Sequence, residues 1–141
     1  MNPIDRAVLA ERSLAVERHL QRVVARLPAA PDELVAGTDA SDAVILHLWQ
    51  ATQIVIDLAV SASVALGAGT PSTYADAFRR LGAARVIDAE LAGRLVKAAG
   101  FRNVVAHAYE QLDMRRVHDA ATAGPADLRA FLAALSRHAR A

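Results

Sequence analysis

Residues 39–66 read DASDAVILHLWQATQIVIDLAVSASVAL. Thr38 and Asp39, both good N-caps, stand at the start of this stretch. Gly67 and Gly69 stand at its end and stop it. Between them apolar residues occupy nearly every side of a 3.6-residue repeat rather than a single stripe. A helix of this kind, from about Thr38 or Asp39 to Leu66, is buried on more than one side. It is either central to a bundle or shared with a partner subunit, and Trp49 belongs to that packing. A membrane span is the competing reading of Ala43–Ala68. His47, Gln50, Gln53 and Asp57 interrupt it, however, and the charge-free part before Asp57 falls short of the roughly 20 residues a span needs. The stretch is expected to be the buried helix of a soluble protein.

The flanking sequence also reads as helix. Ala, Leu and Arg dominate, and no period-2 run bounded by turn residues appears. A first helix is expected from about Ile4 to Leu27, with Val16, Leu20, Val23, Val24 and Leu27 as its apolar stripe. Pro28 and Pro31 end it. Arg18, Arg22 and Arg26 recur every four residues on another face, as a solvated surface or as a rail for phosphates. A third helix is expected at Ser72–Leu81, closed by Gly82. A fourth begins with Asp88 as its cap and runs through Leu91, Leu95, Val96 and Ala99 towards Tyr109. Gly100 weakens it by about 1 kcal/mol relative to Ala. Asp113 caps a further turn or two through His118. Gly124-Pro125 is expected to break the chain before a last helix, Ala126–Ala139. The expected fold is all-α: one domain over residues 1–141, an antiparallel bundle of four to five helices.

Composition narrows the function. The 141 residues carry a formal net charge of +1 and no cysteine. The cysteine count excludes disulfides, thiolate nucleophiles and Cys-type zinc sites. Balanced charge argues against a broadly electrostatic nucleic-acid coat, though a local basic patch is compatible with it. The first twenty residues carry charges every few positions and no apolar core of the signal-peptide kind, so a cytoplasmic location is expected. No glycine-rich phosphate loop or G-x-S-x-G elbow is present. His107 and His118 are eleven apart and lack a third ligand at suitable spacing, so no metal is expected, and no cofactor either.

One segment stands apart: GFRNVVAHAYE, residues 100–110. It places Arg102, Asn103, His107 and Tyr109 within about two helical turns among small apolar residues. At about 100° per residue, Arg102 and Tyr109 share a face, and Asn103 and His107 stack on an adjacent one. Arg102 and His107 lie about 140° apart, so one regular helix does not converge them. Either the helix loosens at its end, or the segment faces its copy across a two-fold axis, which would place two Arg and two His in one cleft. Histidine can give or take a proton near neutral pH. Arginine can hold a phosphate and stabilise extra negative charge, and Asn103 can orient the imidazole. An Arg–His pair without an acidic metal cluster fits metal-independent RNA cleavage. In that reaction the 2′-hydroxyl attacks the adjacent phosphorus and leaves a 2′,3′-cyclic phosphate and a 5′-hydroxyl. Tyr109 could bond a phosphate, stack on a base, or be a modification site. The plain alternative is an interior His107 and a partly buried Tyr109 ring with no chemistry. His47 reads as a core or interface histidine or as a group near the cleft. Asp39 and Asp42 read as helix-start residues or as groups beside the cleft.

RNVVAHAY, residues 102–109, matches the R-x4-6-H-x-Y motif of the HepT toxins within the HEPN superfamily. The resemblance extends over essentially the whole chain. DAVILHLWQATQIVIDLA (42–59) is similar to the family's second helix. Residues 74–113, from YADAFRRLG to HAYEQLD, are similar to its middle section and motif, and ADLRAFLAAL (126–135) to its last helix. The resemblance implies a helical homodimer acting as a toxin ribonuclease on RNA. It implies that Arg102 and His107 are catalytic, that Asn103 supports them, and that an MNT-type nucleotidyltransferase antitoxin modifies Tyr109 with AMP from ATP. Two other classes stay open beside the ribonuclease: a non-catalytic HEPN module that scaffolds a nucleotidyltransferase or nucleotide, and a structural dimerisation bundle resting on the apolar second helix.

Overall fold

The computed structural model describes residues 4–140. Five helices follow one another: α1 (Arg6–Arg26), α2 (Asp39–Ala65), α3 (Tyr74–Ala83), α4 (Ala89–Ala108) and α5 (Met114–Ser136). Single 3-10 turns at Pro31–Glu33 and Tyr109–Gln111 precede α2 and α5. Two-residue strands, β1 (Ile4–Asp5) and β2 (Ala139–Arg140), pair in parallel and tie the two ends of the described chain together. The fold is therefore all-α apart from this clasp.

Helix α2 owes its start to Thr38. Its Oγ1 accepts from the Ser41 amide at 3.2 Å, and Ser41 Oγ accepts from the Thr38 amide at 3.2 Å. This capping box satisfies two otherwise orphaned donors. Gly67 and Gly69 follow with φ of 76° and 101°, values open to glycine at little cost. By length and composition alone α2 could cross a membrane, but 50% of its most apolar window is buried inside the bundle. It packs against α1, α3, α4 and α5.

Two apolar clusters hold these helices. The larger joins Leu9, Val16 and Leu20 of α1, Val55, Ile56 and Ala59 of α2, Phe78 and Leu81 of α3, Leu91 and Leu95 of α4, and Leu128 and Phe131 of α5. Phe78 and Phe131 meet edge to face at 5.6 Å, the orientation favoured by the ring quadrupoles. The smaller cluster joins Val44, Ile45 and Leu48 at the start of α2 to Val105 at the end of α4 and to Val117 and Ala121 of α5. It fixes the final turns of α4 against the first turns of α2.

Several boundaries differ from the sequence expectation. Asp5 caps α1, accepting from the Val8 amide at 3.0 Å, so the helix starts at Arg6 and Ile4 joins a strand. Val24 is 61% exposed, and the buried stripe of α1 is Leu9, Val16, Leu20 and Val23. Thr73 caps α3, which continues through Gly82. The chain does not break at Gly124-Pro125: α5 runs unbroken through both and ends at Ser136, not Ala139. An internal proline costs a helix about 3 kcal/mol through its lost donor and its clash with the preceding turn. The continuous buried stripe of Val117, Ala121, Pro125, Leu128, Phe131 and Leu135 offsets that cost. Gly82 does not terminate α3 because its role is contact: a Cβ there would lie 2.8 Å from Ala92 Cβ of α4.

Gly82→Ala should therefore destabilise the fold. The propensity gain of about 1 kcal/mol is outweighed by overpacking between two methyls fixed to helix backbones, typically about 1–3 kcal/mol. Urea unfolding of both proteins measures the difference, and an increase in stability would contradict the close approach of α3 and α4.

Candidate ribonuclease site

The motif lies on the last turns of α4, opposite the first half of α2. Arg102 is half-buried and held by several contacts. Its Nε donates to Gln53 Oε1 at 2.6 Å and its Nη1 to Asn103 Oδ1 at 3.3 Å. Its guanidinium lies 5.6 Å from the Trp49 ring centroid and 5.2 Å from that of Tyr74, within cation–π range. Gln53 is itself oriented, its Nε2 donating to Asp57 Oδ1 at 2.9 Å. Every partner of Arg102 is neutral. Among the described residues no carboxylate lies within ion-pair distance of it, whereas Arg80, Arg94, Arg115 and Arg129 each have one. The fold thus fixes the direction of this guanidinium without neutralising its charge.

Asn103 and His107 are exposed on adjacent turns. The backbone stays helical through His107, so it does not loosen early enough to bring His107 round to Arg102. The break comes one residue later. Ala108 takes φ −143° and ψ 40°, and the chain continues as a 3-10 turn from Tyr109. Tyr109 is thereby turned off the helical track. Its hydroxyl donates to Asp42 Oδ1, on the first turns of α2, at 2.7 Å. Loss of hydration, the hydrogen bond to Asp42 and the charge of that carboxylate together push the phenol up to about 12.

Other sequence candidates sort cleanly. Asp42 meets the motif, whereas Asp39 is an exposed first-turn residue of α2. His47 does not enter this site. It faces α1, with its Nδ1 3.0 Å from His19 Nδ1. Arg22 and Arg26 reinforce the positive field there, and Arg18, Arg22 and Arg26 are all exposed. His118 is buried, its Nε2 2.8 Å from the Pro28 carbonyl, and so acts as a structural tie between α5 and the loop after α1. Among the described residues no three His, Asp or Glu side chains converge as a metal site. A cleft of about 340 Å³ opens elsewhere, between α2, α4 and α5, lined by Leu48, Phe101 and Leu128 with Arg94 and Asp127 among its polar residues.

Sequence reasoning missed Gln53, Trp49 and Tyr74 as partners of Arg102. The signal for the first two was present: positions 42, 46, 49 and 53 share one helical face, and two of them are polar in an otherwise apolar helix. Tyr74 left no local signal, because its place depends on where α3 docks.

An all-helical bundle presenting a fixed, uncompensated arginine with a histidine and a tyrosine is a class of architecture rather than a single activity. The family comparison is more specific. The family model "Ribonuclease HepT-like" matches residues 16–135, and the chain belongs to that family. No curated protein matches the sequence. The fold is similar to a chain of a toxin–antitoxin crystal structure with AMP-PNP, with a TM-score of 0.83 at 20% identity over 94% of this chain and 99% of that one. It is also similar to the HEPN toxin of Shewanella oneidensis, solved tri-AMPylated in complex with an MNT antitoxin. That match has a TM-score of 0.81 at 22% identity over 92% of this chain and 97% of that one. A variant of a MntA–HpeT toxin–antitoxin pair aligns with a TM-score of 0.80 at 22% identity over 94% and 99% of the two chains. Likenesses at this identity speak to the fold.

The His19–His47 contact makes a stability prediction. Both imidazoles are pushed below the ordinary 6.5, first by burial and then by neighbouring positive groups: His47 and Arg22 for His19, Arg22 and Arg26 for His47. The unfolded chain therefore takes up protons at a higher pH than the folded one. The stabilisation is present above the ordinary value and lost as pH falls through the lowered folded-state values. Melting temperature should drop on acidification from about pH 7.5 to 5.5, and drop less in His47→Gln. Identical pH profiles would show that the pair does not form.

Proposed function

We propose that this protein is the toxin ribonuclease of a HepT–MNT toxin–antitoxin pair. It cuts RNA without a metal ion at a cleft formed by two copies of the chain. The observation that carries the reading is Arg102: a guanidinium aimed by Gln53, Asn103, Trp49 and Tyr74, with no carboxylate among the described residues to satisfy it. A buried or half-buried cation held this way is prepared for an anion from outside the chain, and RNA phosphate has that chemistry.

The steps follow from the residue types. His107 takes the proton of the RNA 2′-hydroxyl, or gives one to the departing 5′-oxygen. Arg102 holds the non-bridging phosphate oxygens as charge accumulates on them. Asn103 orients the neighbouring groups. Since α4 remains helical through His107, an Arg102 and a His107 from two subunits meet more readily across a two-fold axis than within one helix. The antitoxin partner would be an MNT-type nucleotidyltransferase that adds AMP to Tyr109. The adduct would set a phosphodiester beside Arg102 and His107, where it competes with RNA phosphate. The solved AMPylated HEPN toxin supports this form of control. The bundle's single-domain organisation over residues 1–141 and a cytoplasmic location belong to the same reading.

Purified, unmodified protein incubated with a mixed RNA pool in EDTA should leave cyclic-phosphate ends. His107→Ala and Arg102→Ala should each lose about a hundredfold or more of that activity. Mixing the two inactive variants should regain cleavage through hybrid dimers carrying one intact Arg–His pair. Cleavage by His107→Ala at the wild-type rate would remove histidine catalysis. Inertness of the wild type towards every RNA would favour a non-catalytic module that holds a nucleotidyltransferase.

A further inference from the structure

Tyr109 is not a freely hydrated phenol waiting for modification. Its hydroxyl is already committed to one acceptor, Asp42 Oδ1, at 2.7 Å. The contact joins two segments that are 67 residues apart. It depends on two separate pieces of local structure. One is the non-helical Ala108, which redirects Tyr109. The other is the Thr38–Ser41 capping box, which fixes the first turn of α2 and hence the carboxylate.

We propose that Asp42 is the proton acceptor for nucleotidyl transfer to Tyr109, so that the toxin itself supplies part of the chemistry of its own silencing. This rests on the reading of Tyr109 as the modified residue. In the step, Tyr109 Oη attacks the α-phosphorus of a nucleoside triphosphate held by the nucleotidyltransferase. The Oη–phosphorus bond forms, and the bond from that phosphorus to the oxygen bridging to the β-phosphate breaks. Pyrophosphate leaves with the electron pair, and the phenol proton passes to Asp42 Oδ1.

An acceptor is needed because the phenol does not ionise readily where it sits. Desolvation and the Asp42 charge hold it up to about 12. Free phenolate is therefore scarce at neutral pH, and attack must be coupled to proton removal. Asp42 suits that task because it is already on the proton. The surrounding charges do not replace it. Asp42 is the charged group that holds this phenol up. Asp39 lies three residues earlier on α2, and His107 and Glu110 flank Tyr109 in sequence. Transfer also ends the contact. The product has no hydroxyl proton to donate, and once Asp42 loses its acquired proton, carboxylate and phosphodiester repel. The adduct is then driven off Asp42.

Two measurements on the full chain test this. The first needs no partner: ultraviolet titration of the tyrosines. One should ionise near about 12 in the wild type, and in Asp42→Asn it should fall towards the ordinary value near ~10. The second follows, by intact mass, the rate of the first AMP addition by the cognate MNT-type nucleotidyltransferase with ATP and magnesium. Asp42→Asn should be about a hundredfold slower at pH 7. The deficit should close as pH approaches the variant's own phenol ionisation, where no acceptor is needed. Asp39→Asn, which removes a neighbouring first-turn carboxylate, should be modified at the wild-type rate. An Asp42→Asn rate equal to wild type, or a deficit that persists unchanged at high pH, would overturn the proposal. A wild-type chain that is never modified would instead sink the reading of Tyr109 on which the proposal rests.

Discussion

Twelve of the 27 residues of α2 are buried, and they do not form a single stripe. That burial is the constraint on which the rest of the fold depends. A helix apolar on several sides must be covered on several sides, and α1, α3, α4 and α5 all pack against it. Its second half anchors the larger cluster with α3 and α5, while its first half anchors the smaller one with Val105 of α4. Because both clusters share one rigid rod, the final turns of α4 are set against the first turns of α2. The few polar residues of α2 that face the motif, Asp42 and Gln53, can then act as fixed reference points for Tyr109 and Arg102.

The distribution of charge around those points is unequal, and that inequality defines the site. Four other arginines have acidic partners, all at least partly exposed and therefore weak. Those pairs add little stability. Arg102 is treated differently: amides and aromatic faces aim it, and none of them cancels its charge. The nearest use of a carboxylate at the motif is Asp42, which binds the phenol of Tyr109 instead. The guanidinium and the carboxylate thus hold separate partners, with Gln53 and Asp42 eleven residues apart along α2.

Much of this is legible in the order of residues alone. The helical class, the cap at Asp88, the glycine stop after α2 and the clustering of Arg102, Asn103, His107 and Tyr109 all follow from local pattern. The departures share one cause. Gly124-Pro125 looks like a break because local propensity disfavours helix there, yet the buried stripe runs straight through it. Gly82 looks like a terminator, yet it is small so that Ala92 can approach. Val24 fits the apolar period but points to solvent. In each case tertiary contact overrides a local preference worth only a few kcal/mol.

Sequence alone therefore determined which residue types lie together on one helix, because a 3.6-residue repeat makes neighbours of positions three and four apart. It also determined that α2 must be buried, because so apolar a helix has no favourable solvated face. It could not choose partners across elements. That Arg102 lies over Trp49 and Tyr74, that His47 turns to His19, and that Tyr109 donates to Asp42 depend on how separate helices dock. Docking is decided by the summed packing of the two apolar clusters, a long-range quantity that no short window of sequence contains.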